Sequence, residues 1–349
     1  MNEIKIEDFI IGENHKPFII AEMSGNHNQS LERALNIVKV AAECGAHAIK
    51  LQTYTPDTLT IDHHGGLFDI VDKNSLWKGR NLYDLYKEAM TPWEWHEPIF
   101  KLAKDLGVIC FSTPFDETAV DFLDKLGAPV HKIASFENNH HPLLRKIARS
   151  NKPIIMSTGL STIASLDDSV TVLRNNGCKD LVLLKCTSSY PSTPENTNVV
   201  TIPHMQQLFN CTIGLSDHTM GIGASTAAVA LGARVIEKHF CLDRSEGGVD
   251  SAFSLEPDEF KALVIETERA FLSLGKVQYG IQDIEKNSMN FKRSIYVVKD
   301  IKAGENFTEE NIRIIRPGDG LEPKFYDNII GKTAITDIKR GSPLTWSTI

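Results

Sequence analysis

Two histidines of this 349-residue chain each end a short apolar segment, and together they suggest a metal site. The segments are 213–218, ending in His218, and 235–239, ending in His239, with a helical stretch at 224–231 between them. In a β-α-β unit the parallel strands end at the same edge of the sheet, so the two imidazoles can converge. Neutral imidazole is a common ligand of divalent metals. The alternative is two buried histidines bonded to the backbone, and both interpretations stay open at this point.

Four lysines form a second pattern because they lie on alternate predicted strands: Lys50, Lys132, Lys185 and Lys238. In a barrel, alternate strands fill the same interior layer. Unpaired buried ammonium groups are costly, so such a cluster implies a polyanion or carboxylates between the lysines. Hydroxyl groups near other strand ends could donate to the same anion: Thr113, Ser135, Ser157 and Ser216. The pattern predicts a ligand with phosphate and carboxylate groups; the alternative is that Lys185 and Lys238 point outward and cover helices.

Carboxylates also lie at or just beyond the predicted strand ends: Glu22, Asp217, Glu237 and Asp250. Each could be a metal partner, a general base or a salt-bridge partner. Asp250 lies in a turn-rich segment shortly after His239 and is therefore expected to contact substrate.

The elements that must position these residues alternate between strand and helix. The predicted strands are 18–23, 48–53, 108–112, 131–135, 154–157, 181–186, 213–215 and 235–239. The predicted helices are 31–44, 93–106, 117–126, 143–150, 165–175, 223–231 and 257–274. Nearly all-apolar strands are typical of a parallel sheet covered by helices. Eight such strands predict an α/β (β/α)8 TIM barrel; an open doubly wound sheet is the alternative, but no Gly-x-Gly-x-x-Gly follows the first strand.

The domain prediction places the barrel at 1–277, a polar linker at 278–290 and a small β-rich domain at 291–349. The connection 54–80 is long, polar and aromatic, and it follows the second strand. A loop of this length at a barrel mouth is expected to be a lid or a substrate wall.

Composition excludes several functional classes. The net charge of −8 argues against a nucleic-acid surface. The amino terminus lacks the apolar core of a signal peptide, and no apolar run is long enough to span a bilayer. Six scattered cysteines without Cys-x-x-Cys spacing predict reduced core thiols. We expect a cytoplasmic enzyme with no nucleic-acid or membrane partner.

Motifs along almost the whole chain resemble the sialic acid synthase family. They are FIIAEMSGNH (18–27), IKLQT (49–53), FSTPF (111–115), HKIASFE (131–137), IMSTG (155–159), KCTSSYP (185–191), GLSDHT (214–219) and EKHF (237–240). The segment RPGDG (316–320) is similar to the C-terminal antifreeze-like SAF (β-clip) domain of that family. The segments 51–59, 76–79, 82–89 and 91–95 resemble its pseudaminic acid synthase branch.

That resemblance implies a transferase that condenses phosphoenolpyruvate (PEP) with an N-acetylated amino-sugar aldehyde. For the pseudaminic branch the sugar is a 2,4-diacetamido-2,4,6-trideoxy hexose of the L-altrose type, and the products are pseudaminic acid and phosphate, formed by C–O cleavage. Related branches instead make N-acetylneuraminate or legionaminate from N-acetylmannosamine or a related sugar. Phe136 stands where many relatives have a small residue, which could reshape the pocket for a less hydroxylated sugar.

The resemblance also implies roles for individual residues. His218 and His239 would hold a divalent metal, manganese or alternatively magnesium or cobalt, and would be catalytic together with Glu22, a carboxylate that could activate water. PEP would be bound by Lys50, Thr113, Lys132, Ser135, Ser157 and Ser216. The sugar would contact Glu22, Gln52, Tyr190, Asp250 and Arg316. Arg316 would reach the barrel mouth from the small domain of a partner subunit, so a domain-swapped homodimer is expected.

Two competing hypotheses belong to other classes. One is a Schiff-base aldolase on the same barrel, with Lys132 or Lys185 as the nucleophile. The other is a non-catalytic sugar- or ice-binding protein whose small domain is the active part. The dense polar set at the strand ends argues against the second hypothesis.

Overall fold

The computed structural model describes residues 3–73 and 75–349. The first two residues of the predicted barrel domain, and Asn74 of the predicted lid loop, therefore lie outside the described residues. The chain divides into two compact units, Met1–Gly275 and Lys276–Ile349.

The first unit contains a closed barrel of eight parallel strands, as the sequence predicts. The chain begins with β1 (Ile4–Ile6) and β2 (Phe9–Ile11), and the barrel strands are β3 (Phe18–Glu22), β4 (Ala48–Thr53), β5 (Ile109–Pro114), β6 (His131–Ile133), β7 (Ile154–Ser157), β8 (Leu181–Cys186), β9 (Thr212–Asp217) and β10 (Val235–His239). Neighbouring strands follow chain order, and β10 closes the barrel against β3. The TIM-barrel prediction is confirmed, and four strands, β4, β7, β8 and β10, have the predicted bounds.

Helices follow the strands. They are α1 (Leu31–Glu43), α2 (Pro56–Leu59), α3 (Leu82–Ala89), α4 (His96–Asp105), α5 (Glu117–Leu126), α6 (His141–Ala148), α7 (Ile163–Asn175), α8 (Thr201–Phe209), α9 (Gly223–Ala230) and α10 (Pro257–Leu274). The predicted helices exist; α5 and α10 have the predicted bounds, and the ends of the others differ by at most three residues. In the barrel unit the sequence analysis missed α2, α3 and α8. The first two lie in or just after the connection interpreted as a loop, and α8 contains Pro203, a residue that argues against a helix interior.

The lower half of the barrel interior is apolar and closed. The antiparallel hairpin β1–β2, which the sequence analysis did not predict, contributes Ile4, Ile6 and Ile11 to this interior cluster. Its barrel members come mostly from the amino-terminal halves of the strands: Phe18, Ile20, Ala48, Ile109, Phe111, Val130, Ile155, Val182, Leu184 and Val235. The alternate strand residues pack outward against the helices, as Ile49 and Leu51 do. Inward-facing polar groups are therefore left to the carboxyl-terminal half.

The predicted lid segment is folded. After α2 it forms a 3-10 turn at Gly66–Phe68 and a hairpin-like closure, in which the amide of Gly79 donates to the carbonyl of Ile70 at 2.7 Å. The buried side-chain amide of Asn81 donates to the carbonyl of His63 and to Asp69 Oδ1, both at 2.9 Å. These bonds join residues 63–70 of the segment to residues 79–81, immediately before α3 begins.

The second unit is a small β-rich fold. It contains the antiparallel pair β11 (Ser294–Val297) and β12 (Ile312–Ile315) and the short helix α11 (Tyr326–Ile329). A separate apolar cluster forms its core and includes Ile295, Phe307 and Leu344. Most of the predicted linker is a 3-10 turn at Asp283–Phe291 with exposed side chains.

Within residues 3–73 and 75–349 the six cysteines are all buried and none forms a disulfide. No helix in the same residues combines the length and apolar character that crossing a bilayer requires.

A substitution at Gly214 of β9 tests how tightly the barrel interior is packed. A Cβ added at Gly214 would lie 2.3 Å from the carbonyl oxygen of Val235 and 2.6 Å from Leu184 Cδ2. Because the first obstacle is backbone, Gly214→Ala is expected to lower the free energy of unfolding by about 1–3 kcal/mol, as measured by denaturant unfolding. Gly223→Ala in α9 is the control, since nothing lies within 4 Å of its Cβ. Equal stability of the two variants would contradict this account of the interior.

Candidate active site

Polar side chains fill the barrel interior immediately above the apolar layer, at the carboxyl ends of the strands. Strand residues alternate between the two faces, so most of these polar residues lie two positions after an interior apolar residue or alanine; Gln52 and His239 instead follow Lys50 and Glu237 of the same set, and Ser216 follows Gly214. The set is Glu22, Lys50, Gln52, Thr113, Lys132, Ser157, Ser216, Glu237 and His239. This is the end of a TIM barrel at which active sites are built.

Two lysines and two glutamates form a charged quartet at the centre: Glu22, Lys50, Lys132 and Glu237. The distance from Lys50 Nζ to Glu22 Oε2 is 2.8 Å, and Lys50 Nζ lies 3.8 Å from Glu237 Oε2. Lys132 Nζ lies 3.5 Å from Glu237 Oε1. All four side chains are buried, with at most 5 % of each residue exposed. The glutamates thus supply the carboxylates that the sequence pattern offered as the alternative to a polyanion.

Burial and pairing shift the pKa values of the quartet in opposite directions. Burial raises the pKa of Glu22, which Lys50 opposes. Burial would lower the pKa of Lys50, but the charges of Glu22 and Glu237 raise it overall. For Lys132 burial dominates and its pKa is lowered. Glu237 is buried too, yet Lys132 and Lys50 hold its pKa below the ordinary value.

Five of the six residues predicted to bind PEP lie in one network with the quartet, and Ser135 bonds separately to the backbone of Gly159. Lys50 Nζ donates to Thr113 Oγ1 at 3.2 Å, and Lys132 Nζ donates to Ser157 Oγ at 2.7 Å. Ser216 Oγ donates to Glu237 Oε1 at 3.0 Å. Ser135 Oγ accepts the backbone N–H of Gly159 at 3.1 Å. Ammonium and hydroxyl donors therefore converge at one depth of the barrel, which suits a small polyanion.

Two of the four lysines do not join this cluster, in line with the outward alternative. Lys238 lies next to the inward residue Glu237 and so faces outward, where its Nζ pairs with Asp217 at 2.8 Å. Asp217 also accepts from Ser225 of α9, so this carboxylate has a structural partner between barrel and helix. Lys185 Nζ donates to Thr187 Oγ1 at 2.7 Å and is half-buried.

The two predicted metal ligands lie side by side. The ring centroids of His218 and His239 are 5.4 Å apart. His218 Nδ1 lies 3.0 Å from the carbonyl oxygen of Thr187, which leaves Nε2 as the lone-pair nitrogen if Nδ1 carries the proton. His239 Nδ1 is buried without a hydrogen-bond partner. Burial, followed by the charge of His218, holds the pKa of His239 well below its ordinary value, so this imidazole is neutral.

Imidazoles with an available nitrogen fit a divalent cation. His239 is neutral, whereas burial lowers but Cys186 raises the pKa of His218, which is raised overall, so a cation bound at His218 would replace a proton. Within residues 3–73 and 75–349, however, no group of three or more His, Cys, Asp or Glu side chains could hold a metal ion. The protein would therefore contribute two nitrogen ligands, and the metal site stays a prediction.

The residues predicted to bind the sugar surround the histidines. Gln52, Tyr190, His239 and Asp250 all line one cavity of about 360 Å³. Gln52 Nε2 donates to Glu22 Oε1 at 2.8 Å, and the Tyr190 ring lies 4.4 Å from the His218 ring. The Asp250 carboxylate accepts from Ser24 Oγ. Arg316 lies exposed in the second unit, just after β12, and its role stays a prediction.

Comparison with known protein families agrees with this geometry. The NeuB family model matches residues 37–279, and the SAF domain model matches residues 292–349. The chain belongs to the NeuB family.

Members of the NeuB family resemble this chain over nearly its full length. Pseudaminic acid synthase of Campylobacter jejuni subsp. jejuni serotype O:2 is 47 % identical, over 94 % of this chain and 95 % of the relative. Pseudaminic acid synthase of Helicobacter pylori is 42 % identical, over 94 % and 96 %. The crystal structure of N-acetylneuraminic acid synthetase from Leptospira borgpetersenii, in complex with citrate, is 31 % identical and superimposes with a TM-score of 0.72, covering 82 % of this chain and 95 % of the other.

Glu137 is a site residue of this NeuB-family chain to which the sequence analysis assigned no role. Its side chain lines the same cavity, and its Oε2 atom is buried without a hydrogen-bond partner. Burial raises the pKa of Glu137 to about 7, although Lys132 and Lys50 act in the opposite direction. A carboxyl group with this pKa can exchange a proton near neutral pH. Its position directly beyond the strand that carries Lys132 was the available sequence signal.

The raised pKa of Glu137 predicts a pH-dependent cost to stability. The native state retains this proton up to about pH 7, whereas the unfolded chain loses it near pH 4.5, so stability falls as pH rises through that window. Glu137→Gln stays neutral and removes the fall. Between pH 5 and pH 8 the variant is expected to gain roughly 2 kcal/mol relative to wild type in the free energy of unfolding.

Denaturant unfolding at both pH values measures this difference. Glu43→Gln, at the exposed end of α1, is the control and should follow wild type. A Glu137→Gln variant with the wild-type pH profile would show that Glu137 ionises normally in the native state.

Proposed function

We propose that this chain condenses PEP with a 2,4-diacetamido-2,4,6-trideoxy hexose of the L-altrose type to give pseudaminic acid and phosphate by C–O cleavage. The similarity to pseudaminic acid synthases along almost the whole chain carries this proposal. The barrel supports it independently, because a nest of cationic and hydroxyl donors lies beside a cavity with polar and apolar walls.

PEP binding follows from the charges at the barrel centre. The phosphate and carboxylate of PEP would take the ammonium groups of Lys50 and Lys132 as partners, with hydroxyl donors from Thr113, Ser135, Ser157 and Ser216. Charge-assisted hydrogen bonds of this kind are about twice as strong as neutral ones. In the structure these ammonium groups pair with Glu22 and Glu237.

The sugar would occupy the adjoining cavity, with its aldehyde towards the histidines. Gln52, Tyr190 and Asp250 offer hydrogen-bonding groups to its hydroxyl and amide groups. We propose that His218 and His239 hold a divalent cation, manganese in the first instance, which would polarise the aldehyde carbonyl when bound. Both imidazoles have a nitrogen available for this role.

The side chains of the site can supply and accept the protons that the reaction requires. The enol carbon of PEP attacks the aldehyde carbon, so the C=C π bond is used to form the new C–C bond, and the aldehyde oxygen gains a proton. Glu137, whose pKa is about 7, lines the sugar cavity and can supply that proton. Water then adds to the oxocarbenium carbon and loses a proton to a carboxylate, for which we propose Glu22. The C–O bond to phosphate finally breaks as the remaining hydroxyl proton passes to the leaving phosphate, which leaves the keto group, while Lys50 and Lys132 stabilise the departing phosphate.

The second unit would complete the sugar site. We propose that the working enzyme is a domain-swapped homodimer in which Arg316 of one subunit contacts the sugar in the other. The exposed position of Arg316 is compatible with such a contact.

A phosphate-release assay tests the substrate. PEP with the proposed trideoxy sugar is expected to give the highest kcat/KM, above the legionaminic and neuraminic acid precursors. PEP labelled with oxygen-18 in the bridging position should deliver the label to inorganic phosphate, because the C–O bond breaks. Faster turnover of N-acetylmannosamine would favour the neuraminate alternative, and label retained in the keto acid would exclude C–O cleavage.

A histidine variant tests the metal site. His239→Ala is expected to keep the wild-type unfolding midpoint but to lose roughly 100-fold or more in kcat, together with manganese binding measured by electron paramagnetic resonance. His204→Ala, exposed on α8, is the matched control. Chelator should abolish wild-type turnover and manganese should restore it. Borohydride trapping of a substrate-modified Lys132 or Lys185 would instead support the Schiff-base hypothesis.

A further inference from the structure

Six large apolar side chains line the substrate cavity. We call this set the apolar wall: Leu59, Ile70, Trp77, Leu82, Leu85 and Phe136. The lining residues with polar side chains are Ser24, Gln52, Tyr54, Tyr86, Glu137, Ser188, Tyr190, His239 and Asp250. The side chains of the apolar wall carry a single polar atom, Trp77 Nε1. A ligand in this cavity therefore meets both hydrogen-bonding groups and hydrocarbon.

Five of the six wall residues belong to the folded segment between β4 and α3 or to α3 itself. The backbone bonds between Ile70 and the 79–80 turn, and the side-chain bonds of Asn81, hold this segment in one arrangement. Leu85 is only 5 % exposed, so the base of the wall is part of the packed structure. The wall is thus an ordered surface that can discriminate between ligands.

Trp77 links the wall to the reaction centre. Its indole N–H donates to the carbonyl oxygen of Val249 at 2.9 Å, which satisfies its only polar atom. Its ring lies 5.8 Å from the ring of Tyr190, and Tyr190 lies 4.4 Å from the ring of His218. A sugar whose aldehyde is at the histidines would therefore extend along Tyr190 towards Trp77.

Phe136 is the exposed member of the wall. It lines the cavity, yet 58 % of its surface is accessible. It follows β6, so its ring comes from a different strand end than the rest of the wall. An accessible aromatic ring on the wall of a substrate cavity offers apolar surface that a bound ligand can cover.

We infer that the apolar wall binds the C6 methyl group and an acetamido methyl group of the sugar, and so selects a 6-deoxy sugar over its 6-hydroxy counterpart. This inference rests on the proposed function. A hydroxymethyl group placed against the wall would bury an O–H group, and the six wall side chains contain no acceptor for it; an unpaired buried hydroxyl is costly. A methyl group in the same place is covered by hydrocarbon. Trp77 and Phe136 are then specificity-determining residues that take no part in the chemistry.

The test compares kcat/KM for the trideoxy sugar and for its 6-hydroxy counterpart in paired variants. Trp77→Ala and Phe136→Ser remove apolar surface, whereas Trp77→Phe and Phe136→Leu retain it. The first pair is expected to reduce the preference for the 6-deoxy sugar roughly tenfold, the effect typical of one methyl group in an apolar pocket. In the second pair the ratio of kcat/KM for the two sugars should stay within about twofold of the wild-type ratio. Leu208→Ala, on the outer helix α8 with 48 % of Leu208 exposed, is the control for loss of an exposed apolar side chain.

The KM for PEP and the thermal midpoint separate specificity from damage to the fold. Both should be unchanged in Phe136→Ser, because that side chain is largely exposed. An unchanged preference in both Trp77→Ala and Phe136→Ser, with wild-type stability, would overturn the inference. If wild type does not turn over the trideoxy sugar, the proposed function fails. The inference is then decided by the same variants on the 6-deoxy and 6-hydroxy forms of whichever sugar is used.

Discussion

The site depends on one electrostatic constraint: two ammonium groups and two carboxylates share the water-poor interior of the barrel. Any one of these charges alone would pay a large desolvation cost. Lys50 between Glu22 and Glu237, and Lys132 beside Glu237, offset that cost through mutual pairing. Such an arrangement stabilises the fold little, if at all, compared with an apolar core. Its consequence is a preformed position at which an incoming anion can replace the glutamates as the partner of the two lysines.

The layering of the barrel determines where that position lies. The hairpin β1–β2 and the lower strand residues fill the barrel from below with hydrocarbon. Water and substrate can therefore approach the charged quartet from the carboxyl end alone. The same alternation that points Glu237 inward points Lys238 outward, where it pairs with Asp217 and joins barrel to helix. One strand thus supplies both a site residue and a structural ion pair.

The two substrates meet different physical environments. The deep part of the site presents ammonium and hydroxyl donors, which suit a compact polyanion. The cavity above it presents the imidazole of His239, a carboxyl group with a pKa of about 7 and the apolar wall. Tyr190 lies against His218 at the junction of the two parts. A polyanion and a partly apolar sugar would therefore bind at adjacent positions before they react.

The sequence by itself determined the barrel, most of its strands and helices, and the family, because buried parallel strands read as apolar runs and the motifs lie in order along the chain. It did not predict the hairpin β1–β2, α2, α3 and α8: the hairpin strands have 3 residues each, α2 and α3 border the connection interpreted as a loop, and α8 contains Pro203. The tertiary structure alone decided which lysines face inward. A strand that is apolar on both faces contains no pattern that distinguishes them, and a shift of one residue moves a side chain to the other face. Lys50 and Lys132 therefore lie in the site while Lys185 and Lys238 do not, and the raised pKa of Glu137 likewise follows from burial, which only the folded chain creates.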